Sequence, residues 1–293
     1  MSLLATLFNS LTTGENAAPT YRSSASEVRL TFFATNETGQ VVSNLTAQDF
    51  AVVDEGVVIR DFRSFSPTNI TNVNVVILVD CSESVLRAFH KEMSGLLELI
   101  SRTRWADGDE VSVIAFHDAG FTVLCGGTCL KQPTDALFSS LHPRGATPLY
   151  DALVSTADWL RRPGQPRVGS VVIVLSDGVD TISRNSALDA MQAMLASYAR
   201  IYSLDLNSPS AAFRDIAALR NLADATGGRY FHLSDGAVKI ISSVIDDQRA
   251  SYALTYQLQS HKPGFHSVGI FPAHNLHLRF HSRRFYYYED LKP

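Results

Sequence analysis

The run Val73-Asn74-Val75-Val76-Ile77-Leu78-Val79-Asp80-Cys81-Ser82-Glu83-Ser84 passes from a nearly unbroken β-branched series into an aspartate and two serines spaced by two. Such a run reads as a strand buried on both faces, the pattern of a parallel sheet covered by helices. Past Ser84 the apolar period changes: Val85, Leu86, Phe89, Met93, Leu96, Leu97 and Ile100 recur at helical spacing. Asp80, Ser82 and Ser84 therefore occupy the turn between a strand and a helix. In open parallel sheets ligands bind outside the carboxyl ends of strands, so three oxygen donors in this turn mark a candidate site.

The alternation continues to both sides of the following helix. Asp109 to Phe116 and Phe121 to Leu124 read as two more strands, and the four residues between them are too few for a crossover, which makes them an antiparallel hairpin. Helices are expected at about 134 to 141 and from Pro148 through Leu160. Val171 to Leu175 is a fourth strand, wholly apolar and again running into an acid, Asp177. Helices marked by Leu188 to Tyr198, Phe213 to Leu222 and Val238 to Ile245 separate strands at Ile201 to Leu204 and Arg229 to His232. The sum is an α/β fold, a doubly wound, mainly parallel sheet of six strands over residues 72–249.

Both ends of the chain read differently. Val28 to Ala34, Phe50 to Val53, Val57 to Ile59 and a stretch through Phe62 and Phe65 form short strands without a helix; so do Tyr252 to Tyr256, Phe265 to Phe271, Leu276 to Phe280 and Phe285 to Tyr288. Neither set closes a core alone. The economical solution pairs residues 25–71 with 250–293 in one immunoglobulin-like antiparallel β-sandwich of seven or eight strands, with the α/β domain inserted in one of its connections. Residues 1–24, polar and aperiodic, are expected to be a disordered leader.

Composition narrows the function. Among 293 residues, 25 Lys and Arg stand against 29 Asp and Glu, a formal charge of -4 that disfavours nucleic acid or an anionic membrane as partner. No apolar run approaches the length of a membrane-spanning helix. Met1 to Phe8 is apolar, but no Lys or Arg precedes Arg22, which makes a poor signal peptide. Of three cysteines, Cys81 reads as a small buried thiol. Cys125 and Cys129 bracket a tight loop where a disulfide would imply an oxidising compartment.

The chemistry gathers from three places. In a doubly wound sheet the first and fourth strands are neighbours at the switch point, and they end at Asp80 and Asp177. Gly145-Ala146-Thr147-Pro148 opens the next helix, with Pro148 in its first turn and Thr147 as its cap, bringing a hydroxyl to the same rim. Two carboxylates and three hydroxyls form an oxygen-only set, the chemistry of Mg²⁺ or a related hard cation. Helix capping is the plainer use of Asp80, Ser82 and Ser84.

This pattern resembles the von Willebrand factor A domains, whose metal-ion-dependent adhesion site reads DxSxS, then Thr, then Asp. Asp80-Cys81-Ser82-Glu83-Ser84, Thr147 and Asp177 fill every position. The resemblance implies Ser82, Ser84 and Thr147 as direct ligands of Mg²⁺ (or Mn²⁺ or Ca²⁺), Asp80 and Asp177 as supports, and a protein partner offering an Asp or Glu carboxylate. The flanks, Gly39 to Phe50 with Asp54-Glu55-Gly56 and Tyr252-x-Leu254-x-Tyr256 with Gly264-Phe265-His266, resemble the segments around this domain in a group of bacterial relatives. Those relatives are mostly expected to be exported, which implies an extracytoplasmic location.

A dehalogenase-type phosphatase also starts with a strand ending in Asp, but needs a second acid where Ser82 stands, and Ser82 cannot perform the proton transfer. An assembly scaffold with a structural metal is the other alternative; in either binding reading the protein is not an enzyme. His277, Arg279 and His281 would share the solvated face of a strand, with Leu276, Leu278 and Phe280 on the buried one.

Overall fold

The computed structural model describes residues 27–118, 120–127, 129–131, 141–163, 170–207, 216–259 and 262–288. The sequence's expected leader, and nearly all of the helix expected at about 134 to 141, lie outside these residues. β1 (Glu27–Thr35), β2 (Phe50–Asp54), β3 (Val57–Ile59) and β4 (Ser64–Pro67) come first. Then β5 (Asn74–Asp80), α1 (Leu86–Arg102), β6 (Glu110–His117), β7 (Gly120–Cys125), α2 (Leu149–Leu160), β8 (Ser170–Ser176), α3 (Ala187–Ser197), β9 (Arg200–Asp205), α4 (Ile216–Thr226), β10 (Tyr230–His232) and α5 (Ala237–Arg249) alternate. β11 (Tyr252–Gln257), β12 (Gly264–Pro272), β13 (Arg279–Ser282) and β14 (Phe285–Tyr288) close the chain.

β5 to β10 form one sheet in the order β10-β9-β8-β5-β6-β7, parallel except for the β6–β7 hairpin. β5 and β8 are fully buried along their length because helices cover both faces. Val75, Ile77 and Val79 face a core with Phe89, Leu96, Ile241 and Val244 of α1 and α5, while Val76 and Leu78 face one with Leu153, Met194 and Leu219 of α2, α3 and α4. Alternate residues of one strand thus serve two hydrophobic layers, which is why the run carries no polar face.

The chain ends pair as the strand pattern requires. β13-β1-β11-β4 and β14-β12-β2-β3 are two antiparallel sheets of mixed N- and C-terminal origin. They pack face to face over one apolar core, where the Phe50 ring of β2 meets Phe32 of β1 at 5.0 Å and Phe65 of β4 at 5.2 Å. Asp54 is buried in this core and accepts hydrogen bonds from Tyr256 Oη at 2.8 Å and Tyr286 Oη at 3.0 Å.

One sequence reading is corrected here. Leu276 to Leu278 is not strand: Leu278 N and His277 N bond back to Asn275 in a turn, leaving Leu276 in solvent. β13 starts only at Arg279, and His281 turns inward, stacked on Phe33 at 4.6 Å and bonded to Thr35 Oγ1 at 3.0 Å. Burial, together with Arg229 and Arg200, holds its imidazole down at about 4. The polar-face reading failed because this sheet face is covered by the α/β unit rather than by water.

Candidate functional site

β5 delivers Asp80 to the rim with its side chain fully buried. One carboxylate oxygen accepts Ser82 N at 2.9 Å, and the other accepts the Ser176 hydroxyl at 2.7 Å from the end of neighbouring β8. Ser176 Oγ in turn accepts Gly178 N at 3.1 Å, tying the β8 turn to the same carboxylate. Ser82 is buried and its hydroxyl lies 3.0 Å from that of exposed Ser84. A short 3₁₀ turn, Glu83–Val85, follows, and Ser82 at its start makes no side-chain capping bond. The serine hydroxyls face each other instead.

Thr147 reaches the rim by a different route from the one its sequence implies. α2 begins at Leu149, Pro148 occupies the cap position with non-helical φ -91 and ψ 60, and no side chain of that residue caps the helix. The loop after β8 caps it: Tyr150 N donates to Asp180 Oδ1 at 3.3 Å and Asp151 N to Ser183 Oγ at 3.1 Å. Thr147 N donates to Thr181 Oγ1 at 2.8 Å, and Thr181 N returns a bond to Thr147 O at 2.9 Å. Thr147 is therefore a buried strut between loops, not the helix cap. Asp151 completes the brace by accepting Arg184 N and both nitrogens of Asn185. Burial works against its ionisation, yet those amides and the Asn185 side chain hold its carboxyl below the ordinary range.

The 141–147 loop is sewn to the Asp80 turn by Arg144 N to Cys81 O at 2.9 Å and Glu83 N to Gly145 O at 3.0 Å. Gly145 has φ +70, a left-handed torsion that favours glycine, and a Cβ there would displace the Asp118 carboxyl, which stands 2.2 Å away. Asp177 is largely buried; its carboxylate accepts Val179 N, and its carbonyl accepts Asn207 Nδ2 at 2.8 Å. Burial pushes the Asp80 carboxyl up to about 6, against the hydrogen bonds of Ser82 and Ser176 and with added repulsion from Asp177.

Asp80, Ser82, Ser84, Thr147 and Asp177 thus stand on three loops that hydrogen bonds join. Among the described residues no group of three or more His, Cys, Asp or Glu is placed to hold a metal ion. A cation here would be met by hydroxyl oxygens as much as by carboxylates, a donor set that fits Mg²⁺, Mn²⁺ or Ca²⁺ and not a thiolate- or imidazole-seeking metal. Ser176, Thr181 and Asn207 support the site and were not singled out by sequence; the one local signal was Ser176, a polar residue ending an apolar strand. Lower on the sheet, where Cys125 of β7 stands opposite Val113 of β6, Cys125 and Cys129 are joined in a disulfide with Cα atoms 5.5 Å apart, and Cys81 is a buried thiol outside that bond.

Residues 75–179, which contain all five site residues, match the family model described as von Willebrand factor type A domain. Among solved structures the chain is similar to the conserved hypothetical protein BatB from Bacteroides thetaiotaomicron, at 18% identity and TM-score 0.45 over 60% of this chain and 98% of that one. An aerotolerance-related membrane protein from Bacteroides fragilis matches at 18% identity and TM-score 0.46, over 60% and 98%. Proximal thread matrix protein 1 from the mussel byssus matches at 16% and 0.47, over 65% and 49%. No curated protein matches the chain.

Proposed function

We propose, from the match of residues 75–179 to the von Willebrand factor type A domain model, that the chain is a metal-dependent protein-binding module that captures an acidic side chain. Ser82, Ser84 and Thr147 would hold Mg²⁺, or Mn²⁺ or Ca²⁺, directly; Asp80 and Asp177 would act through water and hydrogen bonds. The observation that carries this reading is the Ser82–Ser84 hydroxyl pair, 3.0 Å apart and not used for capping, beside a carboxylate already fixed by Ser82 N and Ser176.

Neutral hydroxyl ligands leave a divalent cation incompletely neutralised, and buried Ser82 next to exposed Ser84 opens the position to solvent on one side. An Asp or Glu carboxylate of a protein partner is the natural last ligand. We read residues 72–249 as the binding domain and 25–71 with 250–293 as the sandwich that presents it. The Cys125–Cys129 disulfide supports an extracytoplasmic setting, since disulfides persist in oxidising compartments. Among the described residues no helix is long and apolar enough to cross a membrane.

The test is fluorescence anisotropy of a labelled Gly-Asp-Gly peptide. Binding is expected in Mg²⁺, lost in EDTA and lost in Ser84→Ala, an exposed position whose truncation leaves the fold intact. Equal binding with EDTA and with Mg²⁺ would sink the reading.

A further inference from the structure

The loops that carry the site continue into the walls of a second opening. Cys81 N donates to Phe116 O at 2.9 Å, which sets the end of β6 beside the Asp80 turn. Pro148 follows Thr147, and Ile182 follows Thr181, the residue bonded to Thr147. Phe116, Phe121, Pro148, Ala152, Ile182 and Arg184 line a cleft of about 350 Å³ at this place, large enough to enclose a bulky side chain.

Two features of the cleft point to an occupant. Ile182 is 54% exposed although its backbone is pinned on both sides, by Thr181 N to Thr147 O and by Arg184 N to Asp151. An apolar side chain held in water by an ordered loop gains on being covered. The charges at the mouth are unequal in availability. Asp118 is engaged by His117 at 3.1 Å, and the Asp151 carboxylate is committed to the Arg184 and Asn185 amides. Exposed Arg184 makes no contact ion pair among the described residues, and its charge favours the neighbouring Asp151 carboxylate from a greater distance.

We propose that this cleft is the specificity subsite of the binding surface, taking a protein segment in which the metal-bound Asp or Glu is followed by a large apolar residue and then by a second acid. This rests on the metal-dependent reading above. The apolar side chain covers Ile182 and Phe121 within the cleft. The second carboxylate pairs with the Arg184 guanidinium, whose planar fork matches it in two hydrogen bonds.

The experiment compares labelled Gly-Asp-Leu-Glu-Gly, Gly-Asp-Gly-Glu-Gly and Gly-Asp-Leu-Gly-Gly peptides by anisotropy in Mg²⁺, with melting temperature read alongside. The leucine peptide is expected to bind about tenfold more tightly than its glycine counterpart. Ile182→Ser should erase that preference, and Arg184→Ala should erase only the advantage of the glutamate. Both variants change exposed side chains and should keep the Mg²⁺-dependent rise in melting temperature. If all three peptides bind equally, in a Mg²⁺-dependent way, the cleft is overturned and the metal reading survives. If Mg²⁺ raises the melting temperature but no peptide binds, carboxylate capture fails and the subsite with it.

Discussion

Asp80 and Asp247 are alike in burial, 0% and 1% exposed, and unlike in company. Asp247, on α5, has a cation built into the chain: Arg229 Nε lies 3.1 Å from its carboxylate. The same Arg229 donates to Gly39 O at 2.7 Å and stacks over Phe231, so the pair fastens α5 and the α/β unit to the sandwich. Arg200 reinforces that joint, lying over Phe33 of β1 and donating to Ser251 at 2.7 Å. Burial pushes the Asp247 carboxyl up to about 7 even with Arg229 beside it. Among the described residues Asp80 receives neutral donors, the Ser82 backbone and side chain and the Ser176 hydroxyl, and the neighbouring charge that bears on it is the like-signed Asp177. Where the carboxylate serves assembly the chain provides the counter-ion. At the rim it provides hydroxyls, and in the proposed reading the counter-ion comes from solution.

Removing each carboxylate should expose this difference. Asp247→Ala strands the Arg229 charge in a buried joint and should cost about 3–5 kcal/mol. Without metal, Asp80→Ala strands only neutral groups, an amide and serine hydroxyls, at about 1–3 kcal/mol. Urea unfolding in EDTA measures both; an equal loss for the two variants would contradict the distinction.

The joint should also leave a mark in pH. A carboxyl whose folded pKa is raised keeps its proton longer in the folded state, so the Asp247 contribution falls as pH rises from near 3.8 through about 7. His281 has the opposite sign: its folded pKa is lowered, and its contribution falls as pH drops from 6.5 through about 4. Urea midpoints measured across that range should therefore decline less toward neutral pH in Asp247→Asn, with the remainder coming from Asp80, whose carboxyl is also raised, to about 6, and decline less toward acid in His281→Gln. A wild-type pH profile that neither substitution changes would argue against the buried joint.

Much of this architecture was legible because β5 and β8 need no polar face, and an unbroken β-branched run announces that locally. The DxSxS turn was legible for the same reason: a polar triplet at the end of such a run has no ladder to join. The misreadings lie where the partner is distant in sequence. Thr147 looks like a helix cap beside Pro148, but the caps come from Asp180 and Ser183, some thirty residues on. Ser176 and Asp80 are 96 positions apart. His281 follows a polar alternation that says nothing of Phe33 waiting to stack on it. Local pattern fixes which face a residue takes, and cannot say what will cover that face.

The central claim, that the rim carboxylate lacks a cation which solution supplies, is tested most directly by thermal unfolding of metal-stripped protein with and without Mg²⁺, beside Ser84→Ala. At a hundredfold excess over the dissociation constant, binding to the folded state alone adds about 2.7 kcal/mol, a rise of roughly 4–5 °C for a chain of this size. The account predicts that rise in the wild type and none in Ser84→Ala. No shift in the wild type at saturating Mg²⁺ or Mn²⁺, or an equal shift in both proteins, would contradict it.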